Sequence, residues 1–231
     1  MATGGRGSGE AGARPRWPPG RRRGRWRGLA AAAARGGVRD ERLLRAVEQT
    51  PRSGFVPAHL AAVANADEPL PIGKGQTTSQ PSLVALMIEA LELEPTSRAL
   101  EIGTGHGWQT AVMARLAAEV YSIERHEALA EAARANLAGY PNAHVVVGDG
   151  TRGLPEHAPD DAIVVSAATE RVPPVLGPQL VDGGRLVAPV GGFGYQEVIR
   201  YRARGGRLEH DRTLTAARFV PLVGEQDDVR D

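Results

Sequence analysis

Apolar positions along this chain recur with two periods, and the alternation between them outlines a fold. After Asp40, a residue able to cap a helix, Leu43, Leu44 and Val47 fall at helical spacing, and the run stops near Thr50-Pro51. Phe55-Val56-Pro57 follows, and then a stretch from 70 to 81 that proline and glycine mark as irregular backbone. Pro81 suits the first turn of a helix, and beyond it Leu83, Leu86, Met87, Ala90 and Leu91 return at helical intervals. Short β-rich runs then alternate with helical ones: strands at 98–102, 120–123, 144–147, 161–165 and 185–190, helices at 108–118 and 127–138. Two last runs, 197–201 and 213–223, have no helix between them and can close a sheet antiparallel. The pattern predicts an α/β fold: a mostly parallel twisted sheet, helices on both faces and a partly antiparallel C-terminal edge.

Composition refines this picture at the ends. Residues 1–37 hold nine arginines against one acid, Glu10, so a formal net charge of +1 conceals an acidic body of charge −7. An Arg/Gly/Pro-rich segment buries too little apolar surface to offset its chain entropy, so 1–37 is expected to be a disordered tail, 38–224 the folded domain and 225–231 a short acidic tail. Trp17 and Trp26 among the arginines could stack on bases, but the acidic body speaks against a nucleic-acid partner. No apolar run approaches the length of a membrane helix, and the lack of cysteine fits a reducing compartment; a cytoplasmic monomer is the expectation. The six histidines show no metal-ligand spacing, and no metal is expected.

Candidate chemistry begins at Gly103-Thr104-Gly105-His106-Gly107, a small-residue turn between the strand ending Leu100-Glu101-Ile102 and the helix after it. Backbone there can approach a ligand closely, with a helix N-terminus facing it. Glu124 ends the next strand, 21 residues beyond Gly103, where an acid can accept both ribose hydroxyls. Asp149, in Gly148-Asp149-Gly150, follows the third strand and could accept from an adenine amino group. Three strand ends thus suit an adenosine. A dinucleotide fingerprint needs a sixth-position glycine, where this chain has the bulky Trp108, so the spacing favours a methyltransferase loop over a dehydrogenase one.

From about Val38 to Gly224 the sequence resembles the protein-L-isoaspartate O-methyltransferase family. Pro51-Arg52, Leu70-Pro71-Ile72-Gly73, Gly75-Gln76-Thr77-Thr78-Ser79-Gln80-Pro81 and Arg218-Phe219-Val220-Pro221-Leu222 carry the likeness beside the glycine loop and Gly148-Asp149-Gly150. The resemblance implies a Rossmann-like class I fold and S-adenosyl-L-methionine as cofactor. It assigns the active site to Ser79 and the cofactor to Gln76, Thr77, Thr78, Glu101, Gly103, Thr104, Gly105, His106, Gly107, Glu124, Arg125, Asp149 and Gly150. The substrate, an isoaspartyl peptide or protein, falls to Ile72, Ser79, Ser166, Ala167 and Arg218. Departures sit near the ligand: His106 and Trp108 where the family has Ser or Ala and Tyr, Ser166-Ala167-Ala168 for a Thr-Ala-Ala run, and Lys74 for an aromatic or histidine.

The chemistry needs no base, because an isoaspartyl α-carboxylate is already ionised at neutral pH. Ser79 then either orients the reactants by hydrogen bonding or merely caps the helix after Pro81. Arg218 either holds a substrate carboxylate or pairs with a nearby acid. Two other functions stay open: esterification of an aspartate in one biosynthetic precursor peptide, and non-catalytic nucleic-acid binding by the basic tail.

Overall fold

The computed structural model describes residues 27–192 and 194–224. Its first element corrects the expected domain boundary. Helix α1 (Gly28–Arg35) buries Leu29, Ala30, Ala32 and Ala33, packing on α2 (Glu41–Glu48) and α3 (Pro81–Ala90). The folded domain therefore starts by residue 28, not 38. Leu29 and the alanine run form good helix with a small flat face, a signal masked in the sequence by the arginines beside it. Residues 1–26 of the expected tail, with Trp17 and Trp26, and the expected acidic tail 225–231 lie outside the described residues.

Helix α2 begins as its cap predicts, with the Asp40 carboxylate accepting from the backbone N–H groups of Arg42 and Leu43. Glu89 of α3 accepts from the N–H groups of Arg39 and Asp40 and so ties the two helices at that corner. After α2 come 3-10 turns at Arg52–Phe55 and Ala58–Val63. The stretch expected to be irregular instead forms a small antiparallel hairpin, β1 (Leu70–Gly73) and β2 (Gln76–Thr78), turning through Lys74 and Gly75 at positive φ. Short strands around a Gly-Lys-Gly turn offer too few apolar positions to reveal period two.

The main sheet has seven strands: β3 (Arg98–Ile102), β4 (Glu119–Glu124), β5 (Ala143–Val147), β6 (Asp160–Val165), β7 (Leu180–Val190), β8 (Gln196–Arg204) and β9 (Arg207–Ala217). Helices α4 (Trp108–Ala114) and α5 (Glu127–Asn136) connect its first strands and stop a few residues short of the expected ends. The spatial order is β5-β4-β3-β6-β7-β8-β9, parallel from β5 to β7 and antiparallel beyond, as the sequence pattern predicts. The last expected strand, 213–223, is displaced: β9 ends at Ala217, and residues 218–224 leave the sheet to cross its C-terminal end, pairing Ala168 with Pro221. The two faces also differ. One core packs α1 to α5 against the sheet, whereas the other, built on Leu100, Ile102, Ile123, Ile163 and Leu186, is closed by 3-10 turns such as Pro174–Leu176.

Strand β3 lies between β4 and β6, so connections leave its two sides in opposite directions and open a crevice at its C-terminal end. At the opposite end of the sheet, Asp160 is buried with Oδ1 lacking a hydrogen-bond partner among the described residues. Burial pushes this carboxyl up to about 7, Arg98 opposing and Asp161 adding to the rise. Among the described residues no helix is long and apolar enough to cross a membrane.

Two outcomes follow from this packing. A chain shortened to begin at Val38 loses the burial of Leu29 and its alanines and is expected to melt roughly 5–12 °C lower by calorimetry. Because the folded-state pKa of Asp160 is raised, its contribution to stability is present in acid and is lost as pH rises through about 7. That loss begins in the ordinary carboxyl range and is complete above about 7, so Asp160→Asn should raise the melting temperature by roughly 2–6 °C at pH 8 and by less than half as much at pH 5, an equal gain at both excluding the titration.

Candidate active site

The glycine loop is anchored from below by polar side chains at the end of β3. Glu101 is fully buried, and its Oε2 accepts from Ser122 Oγ of β4 at 2.8 Å and from Thr110 Oγ1 of α4 at 2.5 Å. Thr104 Oγ1 lies 2.6 Å from Ser122 Oγ and joins the loop to this network, while the N–H groups of Gly103 and Thr104 donate to the Ile123 carbonyl. Gly107 caps α4 at φ 88°, and a Cβ there would stand 3.0 Å from Leu137, so the helix start requires glycine.

One oxygen of that network is left over. Glu101 Oε1 is buried, lacks a hydrogen-bond partner among the described residues, and belongs to a side chain lining the cleft above the loop. Burial pushes the carboxyl up to about 7 against the two hydroxyl bonds, with Glu124 adding to the rise. An unpartnered carboxylate oxygen on a side chain of the cleft wall fits a cationic ligand, and S-adenosylmethionine carries a sulfonium and an ammonium group.

Glu124, at the end of β4, is held rigidly for a ligand above it. Its Oε2 accepts from Gly105 N–H and its Oε1 from His126 N–H, both at 2.9 Å, leaving further lone pairs for ribose hydroxyls. Gly150 also lines the cleft, where a Cβ would come within 2.4 Å of Ile102. Asp149 is placed differently: its Oδ1 accepts from Thr151 N–H and Oγ1, capping the turn Gly150–Arg152, and it lies outside the cleft lining. Arg125 lines the cleft and donates to the Val223 carbonyl, clasping the crossing segment 218–224 over this end. His106 is half-buried in the lining, with its pKa lowered by desolvation against the Phe55 carbonyl and the Glu124 charge, so its ring stays neutral.

The opposite wall is the hairpin and its continuation: Ile72, Gln76, Thr77, Thr78 and Ser79. Around this cleft of about 880 Å³ the structure gathers the remaining expected residues, Gly103, Thr104, Gly105, Gly107, Ser166 and Ala167. Arg218 lies instead in a second cavity of about 970 Å³, between the start of α3 and the end of β9, and forms no ion pair among the described residues. Thr77, Ser79, Ser166 and Val220 line both cavities and are the wall they share.

Ser79 does not cap α3. The cap position is Gln80, without a side-chain bond, and the first-turn N–H of Ser82 is taken by Asp67 Oδ1 at 2.8 Å. Among the described residues the Ser79 hydroxyl has no partner, whereas its carbonyl oxygen accepts from Arg52. Sequence reasoning missed three contributors. Gln109 lines the cleft and donates from Nε2 to Ser166 Oγ at 2.9 Å; its place in the first turn of α4, just past the loop, was the available signal. Residues 220–223 close the cleft from above, and Arg52 supports Ser79 from within the core; both fall in segments that carry the family likeness, but no local pattern revealed these roles.

Comparison with known proteins agrees with this geometry. The family described as Protein-L-isoaspartate(D-aspartate) O-methyltransferase (PCMT) matches residues 29–227. A protein-L-isoaspartate O-methyltransferase from Roseiflexus castenholzii is 55% identical over 192 residues, covering 82% of this chain and 88% of that protein. A solved protein-L-isoaspartate O-methyltransferase superposes with a TM-score of 0.76 at 31% identity over 85% of this chain; the chain spans 65% of that structure's length. A Plasmodium falciparum structure described as a putative protein-L-isoaspartate O-methyltransferase in complex with S-adenosyl-L-homocysteine shares the fold, with a TM-score of 0.72 at 24% identity, over 84% of this chain and 96% of its own.

If Glu101 receives the cationic end of S-adenosylmethionine, binding must expel the proton that the free carboxyl holds at pH 6. With a free-state pKa of about 7, affinity should tighten about tenfold between pH 6 and pH 8, read by calorimetry. Glu101→Gln should bind more weakly and lose the dependence; a dependence that survives removes Glu101 from this role.

Proposed function

The chain belongs to the protein-L-isoaspartate(D-aspartate) O-methyltransferase family, and from that membership we propose that it methylates the α-carboxylate of L-isoaspartyl residues in peptides and proteins. The observation that carries the reading is the shared wall of Thr77, Ser79, Ser166 and Val220 between two cavities. One cavity has the acids and glycines for a nucleoside cation; the other is open, bears Arg218 and suits a polypeptide. Group transfer between two ligands requires one place where both cavities meet.

When bound, S-adenosylmethionine would supply a sulfonium methyl carbon open to attack by an ionised carboxylate oxygen, the carbon–oxygen bond forming as the carbon–sulfur bond breaks and its electron pair leaves with the thioether sulfur. The chain's task is to align and to exclude water. Glu124 and Glu101 hold the donor side, one through rigidly fixed oxygens and the other through its unpartnered one. Ser79 and Ser166 offer hydroxyls at the junction. Because Gln109 donates to Ser166 Oγ, the Ser166 proton stays free to point at an anionic acceptor. Arg218 supplies the positive charge on the acceptor side and draws the carboxylate in. No group need act as a base, because the acceptor carboxylate arrives already ionised. The methyl ester carries a better leaving group than the carboxylate: the adjacent backbone nitrogen attacks its carbonyl, methanol departs, and the succinimide so formed hydrolyses partly to aspartate.

Removing one hydrogen-bond donor to a charged reactant costs about 1.5–3 kcal/mol. Ser79→Ala is therefore expected to lower kcat on an isoaspartyl peptide about 10- to 100-fold, with S-adenosylmethionine affinity within threefold. The same peptide carrying ordinary aspartate should stay unmethylated by mass spectrometry. Methylation of the aspartyl form alone would establish the precursor-peptide reading in place of repair.

A further inference from the structure

Arg52 is a buried cation with no carboxylate in contact among the described residues. Its side chain is fully inaccessible, yet among the described residues it forms no ion pair. Instead its Nη1 donates to the carbonyls of Ala64 and Ala66, at 3.3 and 3.1 Å. Its Nη2 reaches the carbonyls of Glu68, Thr78 and Ser79, at 3.1, 3.2 and 3.1 Å. The guanidinium also lies 5.9 Å from the ring centroid of Trp108, the first residue of α4. That indole N–H in turn donates to the Thr50 carbonyl at 3.0 Å, two residues before Arg52.

Burying an arginine without a counter-ion is costly, so the arrangement needs every one of these acceptors. Desolvation lowers its pKa to about 10, which Asp67 and Glu68 oppose through space, and the group stays charged at neutral pH. Its contacts join parts that the sheet does not connect. On one side is Trp108, directly after the glycine loop; on the other are the carbonyls of the residues that carry the junction of the two cavities. Pulling the Thr78 and Ser79 carbonyls into the core leaves the Ser79 hydroxyl for the cavity side. A planar fork with five N–H groups can hold several carbonyls at once; a lysine has three donors on one atom.

We propose that Arg52 is a positioning residue for methyl transfer, a buried strut that sets the Ser79 segment at a fixed distance from the glycine-loop wall. The inference rests on the methyltransferase reading for its effect on turnover, but its structural half stands independently. Arg52→Lys keeps the charge and loses the fork. Hydrogen exchange in this variant, followed by mass spectrometry, should be at least about tenfold faster over residues 76–80 and unchanged in β3 to β7. At saturating S-adenosylmethionine, and well below its melting temperature, kcat on an isoaspartyl peptide should fall about 10- to 100-fold with cofactor affinity within threefold.

Leu176→Ala, a cavity in the opposite core, is the control: it should lower the melting temperature while kcat stays within threefold of the parent. A kcat for Arg52→Lys no lower than that of Leu176→Ala, or unchanged exchange over 76–80, would overturn the proposal. Should Arg52→Lys fail to fold, Trp108→Phe, which deletes the bond to Thr50, takes its place, with faster exchange over 76–80 and a three- to tenfold lower kcat expected. Unchanged values there overturn it equally. An inactive parent protein would instead refute the methyltransferase reading, leaving the exchange result to decide the strut.

Discussion

The buried carboxylate of Glu101 is the constraint around which the site is organised. It sits in an interior strand of the sheet, where a charge is least welcome, and three elements meet on it: β3, β4 through Ser122, and α4 through Thr110. Those bonds stabilise the ionised form, and burial opposes it more strongly, so the free carboxyl balances near neutrality. Such a residue is a liability in an empty core and an asset beside a cation. The glycine loop is placed accordingly: Thr104 joins the same network, Gly107 opens α4 above it, and the leftover oxygen belongs to the cleft wall.

The two walls of the cleft are held by different physics. The sheet wall is fixed by parallel pairing of β3 with β4 and β6, which sets Gly103, Glu124 and Ser166 on neighbouring strand ends. The facing wall contains little regular structure, only a short hairpin and the residues leading into α3. Its rigidity comes from polar bonds into the core, Arg52 to five carbonyls and Asp67 to the first turn of α3. The irregular wall is therefore not independent of the sheet wall: the arginine that fixes it also packs on Trp108, the first residue after the glycine loop.

What the sequence displayed, and what it withheld, divides along the same line. Strands β3 to β7 were legible because buried parallel strands are near-continuous apolar runs, and Glu124 was legible because a strand end followed at a fixed interval. Helix α1 was hidden because its burial depends on small residues within an arginine-rich segment, and residues 218–223 read as strand because crossing segments and strands share apolar composition. Asp149 was expected to face an adenine; its Oδ1 also caps the turn that follows through Thr151, a role its spacing did not display. Arg52 was part of a recognised motif, but nothing local distinguishes a buried arginine from a solvated one. Its partners are 12 to 27 residues away in sequence.

That the proposed reaction asks for no base has a physical reason. An acceptor that arrives ionised must be attracted, aligned and kept from water, and a carboxylate base beside it would repel it. The acids Glu101 and Glu124 lie on the donor side of the shared wall, while the acceptor side has hydroxyls and Arg218. The arrangement separates charge across the junction: negative groups behind a cation, a positive group near an anion. Because the two reactant charges cancel as the methyl group transfers, those contacts weaken toward the transition state; they recruit and orient the reactants, and the rate has to come from the alignment and fixed distance that the two unlike walls supply.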